Sequence, residues 1–267
     1  MTRRPRRVAR SARPRTATVL GLAWLAGSVP FSNLAARARA GVDLRDVGAG
    51  TVSGTALHEV AGFGPLAIAG VCDIAKGAVG PLLAGRDRPM LAAMSGAAGV
   101  AGHNWSPWLG GAGGRGISVA MGSLLVHAWP GTVVLATGLA AGRLCRQTGL
   151  GGFMADVALT PVLAKTHGRA GLVAGAGVAG VMLAKRAAGN RSPERPGVQA
   201  YAHRLLFDRD PAGPPDAPPA VPAAASPAPE HERGASVWTE RSEVQKHSGP
   251  CATKWRFGHC CTRRVDQ

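Results

Sequence analysis

Thr16-Ala-Thr-Val-Leu-Gly-Leu-Ala-Trp-Leu-Ala-Gly-Ser-Val-Pro-Phe-Ser-Asn-Leu-Ala-Ala36 runs for 21 residues without a charge. A helix needs about 20 mostly apolar residues to cross roughly 30 Å of hydrocarbon, and this stretch meets that length. Leu57–Ala84 is a second such segment, interrupted by Glu59, Asp73 and Lys76. Met90–Leu109, Ile117–Ala141, Leu150–Ala164 and Ala170–Ala184 follow, the last two short enough to be re-entrant, tilted or paired. Soluble helices of this length alternate polar and apolar faces, and these segments largely do not. A soluble Ala/Gly-rich bundle is the competing reading. The small-residue content suits close helix packing in lipid. The expected fold is all-α: a polytopic membrane bundle of about five to seven spans or half-spans with a disordered C-terminal tail.

The 267 residues carry 31 Lys plus Arg against 15 Asp plus Glu, a net charge of +16, but the excess is not uniform. Arg3, Arg4, Arg6, Arg7, Arg10, Arg13 and Arg15 crowd the N-terminus, whereas Thr16–Arg186 holds 13 basic and six acidic residues. No basic stripe is interleaved with aromatics there, so nucleic acid is not an expected partner. The chain divides into a basic extension (1–15), a membrane domain (16–209) and a Pro/Ala-rich tail (210–267) whose composition forms no packed core. The Arg run before an apolar stretch resembles a signal peptide, but the apolar part is too long and contains Pro30, so an uncleaved first span is expected. Five cysteines with no CxxC pair exclude a disulfide scaffold, and His259-Cys260-Cys261 alone is a weak metal signal, so no metal and no cofactor are expected.

Three glycine-and-charge clusters lie between or within the apolar segments. In the first, Gly48, Gly50 and Gly54 let several N–H groups converge, with hydroxyls from Thr51, Ser53 and Thr55 and a guanidinium from Arg45, a composition suited to phosphate. In the second, Asp73 and Lys76 share a helix face at i, i+3 and can form an ion pair. Ionisable residues at membrane depth are expensive and usually functional. The third runs from Gly102-His103 to Gly113-Gly114-Arg115-Gly116, where a turn and a cation open the helix beginning at Ile117, favouring an anion. His103 can bond a phosphate or move a proton, and Trp105 and Trp108 read as headgroup anchors.

Together these clusters resemble the bacterial acyl-phosphate:glycerol-3-phosphate acyltransferases of the PlsY type. Gly27-Ser28-Val29-Pro30-Phe31 matches that family's first-helix element; Arg45, Gly48, Gly50 and Thr55 fit its first loop; Asp73, Lys76 and Gly77 keep its Asp-x-x-Lys-Gly element; and Gly102-His103 and Gly113–Gly116 match the rest, with Arg115 replacing Lys. Ala49, Thr51, Ser53, Gly54 and Ala56 depart from the first loop. A final His-Arg-x-Asn element is only echoed before Arg204-Leu205-Leu206, with Tyr201 at the Asn position. The resemblance implies transfer of a fatty acyl group from acyl phosphate to the 1-hydroxyl of glycerol 3-phosphate, giving lysophosphatidic acid and phosphate without a cofactor or metal. It also implies a bilayer as the surroundings, His103 as the candidate catalytic group, and phosphate-binding roles for Arg45, Gly48, Gly50, Thr55, Lys76, Gly113, Gly114, Arg115 and Gly116, while Thr51 and Ser53 offer phosphate-binding hydroxyls in the same turn in place of the one missing at Ala49. Asp73 is the structural partner of Lys76. The alternatives are an inactive or repurposed relative that binds phosphate headgroups, and a membrane-anchored basic nucleic-acid binder.

The two glycine loops should share one side, expected to be cytoplasmic, with Arg37, Arg39, Lys165 and Arg169 beside them. Arg86, Arg88, Arg143 and Arg146 should lie opposite, as should the Arg-rich N-terminus.

Overall fold

The structure, a computed structural model, describes residues 14–193 and 196–210. Almost all of the basic extension and the Pro/Ala-rich tail therefore lies outside the described residues, as do Cys251, Cys260 and Cys261. What is described is helical: α1 (Thr16–Ser28), α2 (Phe31–Ala40), α3 (Gly54–Ala61), α4 (Phe63–Ala84), α5 (Pro89–Asn104), α6 (Ile117–His127), α7 (Trp129–Leu144), α8 (Thr148–Ala188) and α9 (Val198–Phe207). Three stretches, Thr16–Ala40, Phe63–Ala84 and Thr148–Ala188, are long and apolar enough to cross a membrane.

The apolar runs are broken at definite residues. Pro30 has no N–H to continue α1, so the first run bends between α1 and α2. The carbonyls freed there find donors: Ser28 O accepts from Ser106 Oγ at 2.7 Å and Val29 O from Lys76 Nζ at 2.5 Å. Gly62 likewise separates α3 from α4.

Ile117–Ala141, expected as one span, is instead two helices meeting at Ala128, which leaves helical geometry (φ −154°, ψ 55°) ahead of Pro130. Thr132 Oγ1 donates back to Met121 O at 3.0 Å, so α7 folds against α6. α8 is itself a hairpin. Gly168 sits at φ +57°, ψ −137°, open to glycine and not to side chains with a Cβ, and the two limbs on either side pack antiparallel. A Cβ on Gly171 would fall 1.9 Å from Leu163 O, and one on Gly175 2.6 Å from Thr160 Cα. Against the five to seven spans or half-spans expected, three stretches among the described residues are long and apolar enough to cross, one of them the two-limbed α8.

This hairpin pair reverses part of the expected loop arrangement. Gly149 abuts the Phe207 backbone, and Gly152 abuts Arg186 and Ile117, so the turn at 145–147 lies at the glycine-loop end and takes Arg143 and Arg146 with it. Lys165 and Arg169 flank the Gly168 turn at the other end. There His127 sits beside Gly85, Arg86 and Pro89, and Arg88 Nη1 bonds Pro14 O at 3.0 Å.

Helix crossings are tight because their contact points are glycines. Cβ atoms on Gly77 and Gly122 would lie 2.0 Å from Val119 O and 1.8 Å from Ile74 O, so α4 and α6 touch backbone to backbone. Gly27 meets Gly99 in the same way at the α1–α5 crossing. The interior is filled by small and branched side chains such as Ala93, Val100, Ala120, Leu124, Leu159, Ala174 and Val178. The outside is greasy: Ile68, Val71 and Leu82 of α4 are 69%, 67% and 66% exposed, which suits lipid and not water. The protein is an integral membrane bundle.

Candidate active site at the glycine-loop end

The first loop is shaped by charge before it reaches its glycines. Asp43 accepts from Arg45 N at 3.0 Å and starts a 3₁₀ turn at Leu44–Asp46. The Arg45 guanidinium folds onto the same carboxylate, Nη2 to Oδ2 at 2.7 Å, and reaches Leu109 O at 3.4 Å. That hydrogen bond, with help from Arg37, holds the Asp43 carboxyl well below the usual carboxylate range and raises the Arg45 pKa in turn. Gly48 and Gly50 then turn the chain at φ +50° and +69°. The loop continues to Val52, whose N–H donates to Gly113 O at 3.2 Å. Ser53 caps α3, its Oγ accepting from Ala56 N at 3.3 Å, while Thr51 is half-buried and Thr55 exposed.

The second loop folds back over the end of α5. Gly110, Gly111 and Gly116 take positive φ, and Gly114 N bonds His103 O at 3.4 Å. A Cβ on Gly114 would fall 2.3 Å from His103 Nε2 and 2.7 Å from Val52 O, so only glycine lets the two loops and the imidazole meet. Asn190, just past α8, staples the loops together. Its Nδ2 donates to Gly50 O at 2.9 Å and Gly113 O at 2.8 Å, and its Oδ1 accepts from Gly113 N at 3.2 Å. Arg191 adds bonds to Gly48 O at 3.0 Å and Arg45 O at 2.9 Å.

Arg115 does not point at the loop glycines. Its Nε pairs with Asp208 at 2.7 Å, and its Nη1 bonds Lys185 O at 2.9 Å. Burial lowers its pKa and the Asp208 carboxylate works against that.

Beneath the loops sits a buried triad. The Lys76 ammonium has three N–H donors, and three acceptors surround it: Val29 O at 2.5 Å, Asp73 Oδ1 at 2.8 Å and His103 Nδ1 at 3.1 Å. The Phe31 ring lies 5.5 Å away. Because Nδ1 accepts from the ammonium, a neutral His103 carries its proton on Nε2, the nitrogen facing Gly114.

The geometry thus gathers both glycine loops, Lys76 and His103 at one end of the bundle, leaves Arg45 at the rim and turns Arg115 toward α9. The glycerol-3-phosphate acyltransferase profile matches residues 17–191. The chain belongs to that family. The acyltransferase is 33% identical over 168 residues to a glycerol-3-phosphate acyltransferase of Synechococcus sp. (strain CC9902), covering 62% of this chain and 84% of the relative. A counterpart from Parasynechococcus marenigrum (strain WH8102) is 32% identical, covering 62% and 79%. Among solved structures, a crystal structure of PlsY, an integral membrane glycerol 3-phosphate acyltransferase, in its glycerol 3-phosphate form, superposes with a TM-score of 0.59 at 22% identity over 64% of this chain and 88% of that one. Its lysophosphatidic acid form gives 0.57 at 19% identity, covering 64% and 87%. These two show the shared fold.

Sequence reasoning missed the residues that the end of α8 contributes to the acyltransferase. Asn190, not Tyr201, is the residue that reaches the loops; Tyr201 is 41% exposed on α9. A signal was present: Lys185-Arg186 closes an apolar run, and Gly189-Asn190-Arg191 follows at once. Asp208, C-capping α9 at φ +57°, carried no signal for its partnership with Arg115.

Proposed function

We propose that the protein transfers a fatty acyl group from acyl phosphate to the 1-hydroxyl of glycerol 3-phosphate. The hydroxyl oxygen attacks the acyl carbonyl carbon, the bond from that carbon to the phosphate oxygen breaks, and the products are lysophosphatidic acid and inorganic phosphate. The hydroxyl proton leaves with the phosphate or to water. The observation that carries this reading is the pair of glycine loops stitched side by side over the Lys76–His103 pair, at one end of a lipid-facing bundle. Two phosphate-bearing substrates call for converging backbone N–H groups and cations at a lipid boundary. An acyl phosphate is already activated, so positioning and stabilisation of developing charge suffice without a covalent nucleophile.

In this mechanism His103 acts as a hydrogen-bond donor through Nε2–H, toward the oxygen on which charge develops, and not as a base. Lys76 and Asp73 are positioning residues that hold its tautomer. Gly48, Gly50, Thr51, Thr55, Gly113, Gly114 and Gly116 line the loops that receive phosphate, with Ser53 holding the start of α3 beside them and Arg45 at the rim. The bundle lies in the cell membrane with several passes and its glycine loops in the cytoplasm. In the loops that join the helices, Arg37, Arg39, Arg45, Arg115, Arg143 and Arg146 at the loop end outnumber Arg86, Arg88, Lys165 and Arg169 at the other, whereas the seven arginines before Thr16 run against that bias.

The test is release of inorganic phosphate from palmitoyl phosphate by the purified full chain, with and without glycerol 3-phosphate, alongside rescue of a bacterial strain lacking its own acyltransferase. Glycerol-3-phosphate-dependent release with lysophosphatidic acid as product is expected. Neither release nor rescue would leave a binding protein instead.

A further inference from the structure

Among the described residues, the buried and half-buried cations at the loop end are paired with carboxylates one by one. Arg45 has Asp43 at 2.7 Å, Lys76 has Asp73 at 2.8 Å, Arg115 has Asp208 at 2.7 Å and Arg186 has Asp156 at 3.4 Å, while Arg204 pairs with Asp210. Lys185 breaks the pattern. It is 1% exposed, yet among the described residues no carboxylate lies within ion-pair range of its ammonium. Its contacts are Gly111 O at 3.5 Å, the outer limit of a hydrogen bond, and the Trp105 ring at 5.3 Å. Neither supplies a negative charge. A buried charge without a partner is among the most expensive things a protein can hold, and this one is fixed beside the second glycine loop, its own carbonyl tied to Arg115.

We infer that Lys185 is a phosphate-binding residue of the acyltransferase, its ammonium balanced by the phosphate group of a substrate bound against the 110–116 loop. Three observations converge. Lys76 is engaged by the protein, hydrogen-bonded to Val29 O and His103 Nδ1 and ion-paired with Asp73. Arg115, the cation that the loop itself carries, is engaged by Asp208 and by the Lys185 carbonyl. Among the described residues, Lys185 is therefore the buried cation at this end that has no carboxylate, whereas Arg191 lies exposed against Gly48 O and Arg45 O. Its compact ammonium, held against Gly111 and over Trp105, faces the loop whose backbone turns at Gly110 and Gly111. The phosphate belongs either to glycerol 3-phosphate or to the acyl donor, and the chemistry of recognition is the same for both.

The inference rests on the proposed reaction for its kinetic test and not for its binding test. Full-length wild type, Lys185→Met and Lys185→Arg are purified, and thermal unfolding is followed with and without inorganic phosphate. Phosphate is expected to raise the unfolding temperature of the wild type and the Arg variant but not of the Met variant. Without phosphate, the Met variant should unfold at or above the wild-type temperature, because an unpaired buried charge has been removed. In phosphate-release assays, KM should rise about 10- to 100-fold in the Met variant, the loss of a charged hydrogen bond. If Lys185 holds the acceptor, the rise is in KM for glycerol 3-phosphate; if the donor, in KM for palmitoyl phosphate. Equal phosphate protection of wild type and Met variant, no protection of the wild type, unchanged KM for both substrates, or a Met chain that fails to fold would each overturn the inference. Should the wild type release no phosphate from palmitoyl phosphate, the proposed reaction falls while the thermal measurement still decides the role of Lys185.

Discussion

Replacing Lys76 by Met separates positioning from phosphate binding. The side chains of Lys76 and Asp73 are 4% and 7% exposed, so the Met variant strands a carboxylate in the interior. Removing one partner of such a pair costs about 3–5 kcal/mol, whereas replacing both with apolar groups is about neutral or stabilising. The single variant should therefore unfold at a markedly lower temperature, and Asp73→Leu/Lys76→Met should recover most or all of the loss. Activity should not recover with it. In the double variant His103 Nδ1 has lost the donor that fixes its tautomer, and loss of an aligned donor to developing charge lowers kcat by about 10²–10³-fold. Thermal unfolding in detergent reads the first effect and initial rates of phosphate release read the second. A stable double variant with wild-type kcat would refute the tautomer argument. So would a variant with raised KM for glycerol 3-phosphate and unchanged kcat, since that is the behaviour of a phosphate ligand.

Asn190→Ala removes three hydrogen bonds that join the glycine loops and should lower stability by about 1–3 kcal/mol, with a fall in kcat/KM visible in the same assays. Gly122→Ala puts a Cβ 1.8 Å from Ile74 O, so α4 and α6 must separate; overpacking of about 1–3 kcal/mol is expected, with a lower unfolding temperature and lost activity because Lys76 lies on the displaced helix. Asp43 is a group whose folded pKa is depressed by Arg45. Its stabilisation is present above the unfolded value of about 3.9 and is lost as pH falls through the lower folded value. Asp43→Asn should thus be less stable than wild type at pH 7, and the gap in unfolding temperature should close only in strong acid. A gap that instead widens on acidification would show the sign to be wrong.

The places where sequence and structure part follow from how each constraint is encoded. Length and apolarity are local, so the runs at Thr16–Ala36 and Leu57–Ala84 announce membrane helices without a neighbour in view. Breaks inside an apolar run are harder to read. Pro30 was visible and the polar stretch between Ala164 and Ala170 already divided the last run, yet Ala128 looks like any other small residue until a hairpin closes on it. Missing the Ala128 break misplaced Arg143, Arg146, Lys165 and Arg169 together, because one uncounted reversal exchanges the ends of everything after it.

The candidate site divides the same way. The sequence by itself determined the class of molecule and the parts at hand: a lipid-embedded helical protein, two glycine-rich loops, and the residues Asp73, Lys76 and His103. Turn-forming glycines and membrane-depth charges are costly in isolation, so their positions alone speak. Only the tertiary structure decided which charges are spent on each other. It closed Lys76 with Val29, Asp73 and His103, drew Arg115 to Asp208, brought Asn190 across to Gly50 and Gly113, and left Lys185 without a carboxylate among the described residues. Ion pairing falls away within a few ångströms and joins residues far apart in the chain, so it is settled by packing and not by order along the sequence.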